Sequence, residues 1–280
     1  MRALTLLAGA LVAFAASLPT LGFESFPPGG NAHDTITARA ARRAGLSRSA
    51  VRWLQAAVRR PDLEQMSVDL TLLGGRRMLR AFRTEQLWMP GCRYDRLDHF
   101  DRAAGEPSAV AFAAARDRML DARDRAVERL SVQDVEEAIR ALGDALHALQ
   151  DFFSHSNAVD LDAERRAELL QILYARGVAA PPQAKLALGI VEACPPPRGL
   201  GEPARTLAEA VELCDAGSES HLCLNKDSDT SVQGRLKSNG RSKYAAARDL
   251  ATEHSAILLE QVRRRVAKSD WVLLQQARLP

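Results

Sequence analysis

The stretch from Gly143 to Asn157 constrains the fold of this chain more than any other segment. His147, Asp151 and His155 follow one another at intervals of four residues. Residues four apart lie one turn above each other on a helix, so these three side chains project from one stripe. An adjacent stripe is apolar, with the three- and four-residue spacing of a buried helix face. It consists of Val135, Ile139, Leu142, Leu146, Leu149 and Phe153. Imidazole and carboxylate groups are zinc ligands, so the pattern predicts a metal site on a half-buried helix.

The composition is that of an ordinary globular protein, with 46% hydrophobic and 26% charged residues. Aromatic residues make up only 5% of the chain, whereas Ala, Leu and Arg are abundant, which favours helices over strands. We therefore expect an all-α fold with long loops, formed by one domain over residues 23–280. The formal net charge of +3 is too small to indicate a nucleic-acid-binding domain.

The N-terminus has the features of an export signal. Arg2 precedes an apolar run over residues 3–18, which is short and Ala-rich for a membrane span. Small residues permit cleavage near Ala13–Ala15 or after Gly22, and a retained membrane anchor is the alternative. We predict a signal peptide over residues 1–22 and a secreted or periplasmic protein. No later segment is long and apolar enough to span a bilayer.

Export gives the four cysteines a role, because disulfides form in oxidising compartments. Cys92, Cys194, Cys214 and Cys223 allow three connectivities. The short loop between Cys214 and Cys223 favours that pair. A cysteine-based zinc site is disfavoured, since the chain contains no Cys-x2-Cys pair.

Periodicity and capping signals predict several further helices. Ser47 or Ser49 begins one helix, and Ser131 to Asp134 form a capping signal for the central helix that ends near His155. The predicted helical ranges are 47–60, 62–83, 107–128, 161–176, 183–193, 203–214 and 242–268, in addition to a helical pattern that starts at His33.

The letters ALHALQDFFSHSN, residues 145–157, resemble the signature of the zinc-dependent phospholipase C and single-strand nuclease superfamily. The similarity is greatest to its secreted branch that includes the heterokaryon-incompatibility-type proteins, in which CLNKDSD, residues 223–229, also has a counterpart. This resemblance, rather than the spacing, implies phosphodiester hydrolysis. It implies a cluster of two or three zinc ions whose bound hydroxide attacks phosphorus.

The resemblance also implies ligands outside the central helix. His33 in an H-x-x-I-T setting and His99, followed by an aromatic residue and an acid, match its histidine segments. The alternative for His33 is an exposed side chain beside a helix capped by Asn31 or Asp34. The resemblance expects a metal-binding Asp near Asp69.

Two alternatives involve acidic residues around His99. Asp95 competes with Asp69 for the metal-binding role, and a plain solvated carboxylate is the further alternative for either residue. Asp98 and Asp101 are candidates to orient the His99 imidazole rather than to bind metal.

The sequence departs from the superfamily pattern in its C-terminal part. No His-x3-Glu follows residue 155, and the spacing from Asp151 to His155 is shorter than in the phospholipases. Residues of the required types nearby are His221, Asp249, Glu253 and His254, and Lys243 stands where the resemblance expects a ligand. Four of the six histidines nevertheless occupy superfamily-like positions: His33, His99, His147 and His155.

In the phospholipase branch, the freed α-amine of an N-terminal aromatic residue binds zinc. Cleavage after Gly22 would leave Phe23 as residue one, ten positions before His33. The alternative is cleavage near Ala15, which leaves an N-terminal tail. N-terminal sequencing of the exported protein distinguishes the two.

These observations predict a secreted zinc-dependent phosphodiester hydrolase similar to phospholipase C. Its substrate is expected to be a phospholipid or another phosphodiester, reached at a transient membrane contact through Trp88 and Met89. One alternative is a single-strand nuclease, disfavoured by the few aromatic residues available to stack bases. The other is a non-enzymatic secreted helical interaction protein with a degenerate metal site.

Overall fold

The computed structural model describes residues 32–65, 95–103, 105–187, 221–224, 226, 228–229, 231, 233–238 and 240–278. Over these residues the protein is all-α, as predicted, with one short antiparallel ribbon. Several residues named above lie outside the described residues, so the predictions that involve them stay predictions. They include Phe23, Asp69, Trp88, Met89, Cys92, Cys194 and Cys214, and also residues 66–83 of the helix predicted over 62–83 and the whole helix predicted over 203–214.

The elements follow one another in chain order. The first helices are α1 (Ala32–Arg43), α2 (Arg48–Val58), α3 (Arg60–Gln65), α4 (Ser108–Ser131), α5 (Val135–His155) and α6 (Ala163–Ile172). They are followed by α7 (His221–Leu224), the strands β1 (Lys237–Ser238) and β2 (Arg241–Ser242), α8 (Lys243–Arg265) and α9 (Lys268–Gln276). In the described part of the chain, none of these helices has the length and apolarity needed to cross a membrane.

Helix α5 lies at the centre of the molecule and packs against α2, α4 and α8. Asp134 caps it by accepting a hydrogen bond from the Glu137 backbone N–H at 3.2 Å. Every residue of α5 from Ala145 to His155 is buried, so the second half of this helix is surrounded on all faces. A helix buried all round places its polar side chains in a dry interior, where they require partners.

Four phenylalanines pack together around the buried half of α5 and form the apolar wall of the interior. The ring centroids of Phe100 and Phe152 lie 5.1 Å apart, and those of Phe112 and Phe152 lie 5.7 Å apart. Phe153 contacts Phe152 at 5.0 Å between centroids. Tilted and edge-to-face contacts of this kind add to the stabilisation from burial, so they hold α5 and the segment after His99 together.

The prediction of a helix over residues 183–193 is wrong for its described part. Residues 183–187 are not helical, and Leu186 forms an isolated bridge with Ser156. The Lys185 N–H donates to Asn157 Oδ1 at 2.8 Å, and the Ala187 N–H donates to the His155 carbonyl at 2.8 Å. Because these two N–H groups donate to acceptors at and just after the end of α5, they cannot form the hydrogen bonds of a helix. Residues 188–193 lie outside the described residues.

The close packing of α2 on α5 depends on Gly143. A Cβ atom at this position would lie 2.6 Å from the Ala57 Cβ and 2.7 Å from the Ala57 carbonyl oxygen. We expect Gly143→Ala to lower the free energy of unfolding by about 1–3 kcal/mol, since overpacking forces the two helices apart. Urea unfolding followed by circular dichroism measures this. Adding Ala57→Gly should restore part of the loss, and an unchanged unfolding midpoint in Gly143→Ala would contradict the prediction.

Candidate metal centre

Four of the histidine and aspartate residues predicted as ligands meet in the interior. Helix α1 contributes His33, the segment before α4 contributes His99, and α5 contributes His147 and Asp151, all of them buried. Asp151 lies between the three imidazoles. Its Oδ1 is 3.3 Å from His33 Nε2, and its Oδ2 is 2.8 Å from His99 Nδ1 and 3.2 Å from His147 Nε2. We call these four residues, together with Asp62, the histidine–aspartate cluster.

Asp62 is the member that the sequence analysis missed. It lies in the first turn of α3, and its Oδ1 is 3.6 Å from His147 Nε2 and 3.9 Å from His99 Nδ1. Its Oδ2 is 3.9 Å from His33 Nε2. An acid after a proline at a helix start is common for helix-dipole reasons alone, so this position carried no sequence signal for metal binding.

The cluster contains two groups of three residues that could hold a metal ion. One is His33, His147 and Asp151, and the other is Asp62, His99 and His147. In each group, one ligand atom from every residue lies within 4.8 Å of the others. Asp151 Oδ1 is buried, and its contact with His33 Nε2 is long, at 3.3 Å. Because a buried carboxylate is stabilised by a closely placed positive charge, this atom fits a site that receives a cation.

Gln150 fixes the orientation of His33. Its Oε1 accepts a hydrogen bond from His33 Nδ1 at 2.7 Å, which leaves Nε2 directed towards Asp151. The Gln150 amide nitrogen donates to Thr37 Oγ1 at 3.0 Å and to Ser255 Oγ at 3.3 Å. Three helices therefore determine the position of one imidazole. The exposed alternative considered for His33 is wrong, because its side chain is fully buried.

We expect Gln150→Leu to weaken metal binding about 10- to 100-fold, as for other residues that orient a metal-binding histidine. The substitution removes the acceptor for His33 Nδ1 while keeping an apolar volume of similar size. Titration of the purified variant against a coloured chelator measures the affinity. Thr37→Val removes a partner of Gln150 without touching the hydrogen bond to His33, so it should have a smaller effect. Equal affinities of Gln150→Leu and the unchanged protein would contradict the assigned role.

The carboxylates of the cluster also raise the pKa values of two of its histidines, His33 and His99. Burial lowers the pKa of His33, but the hydrogen bond to Asp151 and the charges of Asp151 and Asp62 outweigh it and raise this pKa to about 9. The pKa of His99 is raised in the same way against its burial. Burial raises the pKa of Asp151, yet the charges of His147 and His155 and the hydrogen bonds from His147 and His33 hold it well below its usual range. Cations and protons therefore compete for the same atoms.

His155 belongs to neither group of three. Its Nδ1 lies 3.1 Å from the His99 carbonyl oxygen and 3.3 Å from Asp101 Oδ1. His155 is the last residue of α5 and Ser156 is extended, so this imidazole is positioned beside the backbone that carries His99. The sequence predicts that Asp98 and Asp101 orient the His99 ring. In the structure, Asp101 lies against His155 and Asp98 pairs with Arg118.

Asp95 and two residues near the start of α8, Lys243 and Asp249, form ion pairs away from the cluster. Asp95 Oδ2 lies 3.0 Å from Arg118, and Lys243 pairs with Asp160 at 2.6 Å. Asp249 pairs with an arginine, Arg241 of β2.

His254, further along α8, is also engaged elsewhere. The Tyr174 hydroxyl lies 3.0 Å from its Nδ1, and the two rings stack. Burial lowers the pKa of His254. Helix α8 reaches the cluster through the next residue, Ser255, which contacts Gln150.

Cys223 is buried in α7 and does not carry a free thiol. The pairing of Cys214 with Cys223 stays a prediction, since Cys214 lies outside the described residues.

Fold and site together define a helical protein with a buried histidine–aspartate cluster that could hold a metal ion. A family model described as the VWA7 N-terminal domain matches residues 89–180, a stretch that includes His99, His147, Asp151 and His155. The match covers less than half of the chain, so it marks a similarity over this stretch. No curated protein and no solved structure matches the chain.

Proposed function

We propose that this chain is an exported zinc-dependent phosphodiester hydrolase similar to phospholipase C. The observation that carries the proposal is the meeting of three imidazoles with two carboxylates, those of Asp62 and Asp151, in the interior. Nitrogen and oxygen donors of these kinds suit zinc. A bound zinc ion would supply a Lewis acid that activates water and offsets negative charge on a phosphodiester.

The residues of the chain have separate tasks in this proposal. The metal is held by the cluster residues His33, His99, His147, Asp62 and Asp151. Gln150 keeps His33 Nε2 directed at Asp151, and the contact of His155 with the His99 carbonyl fixes the segment that carries His99. The phenylalanines Phe100, Phe152 and Phe153 pack around the same buried half of α5 and keep this part of the interior apolar.

A second function has its own supporting observation. The ligand side chains of the cluster are at most 2% exposed, which suits a metal that stabilises the fold of a non-enzymatic interaction protein. In that case zinc should raise the unfolding temperature while no substrate is turned over.

One experiment separates these possibilities. The full-length protein is purified, its metal content is determined by elemental analysis, and hydrolysis is measured before and after chelation and zinc addition. The substrates are bis(4-nitrophenyl) phosphate, phosphatidylcholine vesicles and single-stranded DNA. We expect zinc-dependent hydrolysis of the first two, and hydrolysis of DNA alone would favour the nuclease alternative. Bound zinc without turnover of any substrate would overturn the enzymatic proposal.

The proposed export rests on the apolar run over residues 3–18. Expression of the whole chain followed by N-terminal sequencing of the exported protein tests it. A mature chain that starts at Phe23 would support a role for its α-amine as a metal ligand. A start near Ala15 would exclude that role and leave the histidine–aspartate cluster unaffected.

A further inference from the structure

A cavity of about 210 Å³ lies beside the histidine–aspartate cluster. Three of its lining residues are peptide-bonded to cluster residues: Pro61 to Asp62, Asp98 to His99, and Ala148 to His147. Consecutive Cα atoms are about 3.8 Å apart. The cavity wall and the cluster are therefore built on the same backbone segments.

Helix α5 shows how the two sites are arranged. Asp144 and Ala148 line the cavity, whereas His147 and Asp151 belong to the cluster. Each pair is four residues apart, so each forms its own stripe along the helix. The stripes are offset by about 60° around the axis, since three residues turn the helix by about 300°. A molecule in the cavity would thus lie on the neighbouring face of α5, beside the segments that carry the metal ligands, although none of the ligands lines the cavity.

The cavity is lined by three guanidinium groups and two carboxylates, and one of the guanidinium groups, that of Arg118, also pairs with Asp95 outside the lining. Arg60 donates to both carboxylate oxygens of Asp144, at 2.6 and 2.8 Å. Arg118 donates to Asp98 Oδ1 at 2.5 Å and to its Oδ2 at 3.3 Å. These ion pairs fix two of the guanidinium planes in the wall.

Arg125 differs from the other two arginines of the cavity wall. It is exposed on α4 and lines the cavity, and within the described part of the chain it forms no ion pair. A guanidinium group has five N–H donors in a fixed fork that matches the oxygens of a phosphate group. Arg125 can therefore direct its fork at an anion in the cavity, while the charges of Arg60 and Arg118 are shared with their carboxylates.

We propose that this cavity binds a phosphate group, with Arg125 as its main contact and with Arg60 and Arg118 beside it in the wall. The role of the cavity in substrate recognition rests on the proposed hydrolase function, because it places the phosphate beside the segments that carry the metal ligands. Binding of phosphate itself does not depend on hydrolysis. The two ideas can therefore fail separately.

The test is calorimetric titration of the full-length protein with inorganic phosphate, alongside Arg125→Gln and Arg129→Gln. Arg129 lies one turn further along α4, is also exposed and does not line the cavity, so it is the matched control. We expect Arg125→Gln to weaken phosphate binding roughly tenfold, as loss of a charge-assisted hydrogen bond does. Arg125→Glu should remove binding, and Arg129→Gln should leave it unchanged.

The variant Asp151→Asn identifies where phosphate binds. If phosphate binds in the cavity, this variant should retain phosphate binding even when it has lost its metal. Loss of binding in Asp151→Asn together with normal binding in Arg125→Gln would place phosphate on the metal and overturn the inference. Equal affinities of Arg125→Gln and Arg129→Gln would overturn it as well.

Kinetics on bis(4-nitrophenyl) phosphate distinguish the inference from the proposed function. Arg125→Gln should raise KM with little change in kcat, because it removes a binding contact rather than a metal ligand. An inactive protein that binds phosphate through Arg125 would sink the hydrolase proposal and keep the cavity assignment. An active protein whose KM is the same in Arg125→Gln would support the hydrolase proposal and overturn the cavity assignment.

Discussion

Asp151→Asn is expected to abolish stoichiometric metal binding and, with it, any zinc-dependent activity. Asp151 lies within 3.3 Å of all three imidazoles in the cluster, so the substitution removes the negative charge at its centre. Breaking a buried charge pair costs about 3–5 kcal/mol, and an energy of this size corresponds to a loss of affinity of roughly 150- to 4,000-fold. Elemental analysis and competition with a coloured chelator measure the change.

The control for this variant is Asp95→Asn, a change of the same chemistry at a partly exposed residue that pairs with Arg118. It should bind metal like the unchanged protein. Asp62→Asn should also weaken binding, because Asp62 belongs to the second group of three. Unaltered metal content in Asp151→Asn would remove the basis for the metal centre. An effect of Asp62→Asn no larger than that of Asp95→Asn would remove Asp62 from it.

The all-α fold was predictable because it depends on local patterns. The boundaries of α5, Val135–His155, agree with the spacing of its apolar stripe and with the acid that caps it. The helix predicted from 242 to 268 corresponds to α8, Lys243–Arg265. The segment over 183–187 was not predictable in this way, since its conformation is set by hydrogen bonds to Asn157 and His155 from a distant part of the chain.

The site was predictable only in part, for a related reason. His147 and Asp151 share one helix face, and periodicity alone predicts that they lie together. His33 and His99 were assigned by resemblance, and tertiary packing brings them to the same place.

The residues that sequence reasoning missed or misplaced depend on tertiary contacts. Asp62 has no spacing relation to any histidine, and Gln150 is not a typical ligand. His155 has the correct spacing, but it lies at the helix end and contacts the His99 carbonyl instead. Helix periodicity predicts which side chains share a face, whereas the partner that each one meets is set by the neighbouring elements.

Metal affinity is expected to rise with pH between about pH 6.5 and 9. A histidine must be neutral to bind a metal. Burial lowers the pKa of metal-free His33, but Asp151 and Asp62 outweigh it and raise this pKa to about 9. Each proton displaced changes the affinity about tenfold per pH unit below the pKa of the group that holds it. One proton therefore predicts about a 50-fold gain between pH 7 and 9, and displacement of a second from His99 would steepen the rise.

The stability of the metal-free protein should follow the opposite trend over the same range. The folded-state pKa of His33, about 9, exceeds its unfolded value of 6.5, so its contribution is fully present below 6.5 and is lost as the pH rises through 9. Asp151 has a lowered pKa, so its contribution is present above 3.8 and is lost as the pH falls through the lower folded-state value. Urea unfolding of chelated and zinc-loaded protein at several pH values measures both trends. His33→Gln should flatten the rise in affinity. An affinity that does not change between pH 6.5 and 9 would show that protons and metal do not compete at this cluster.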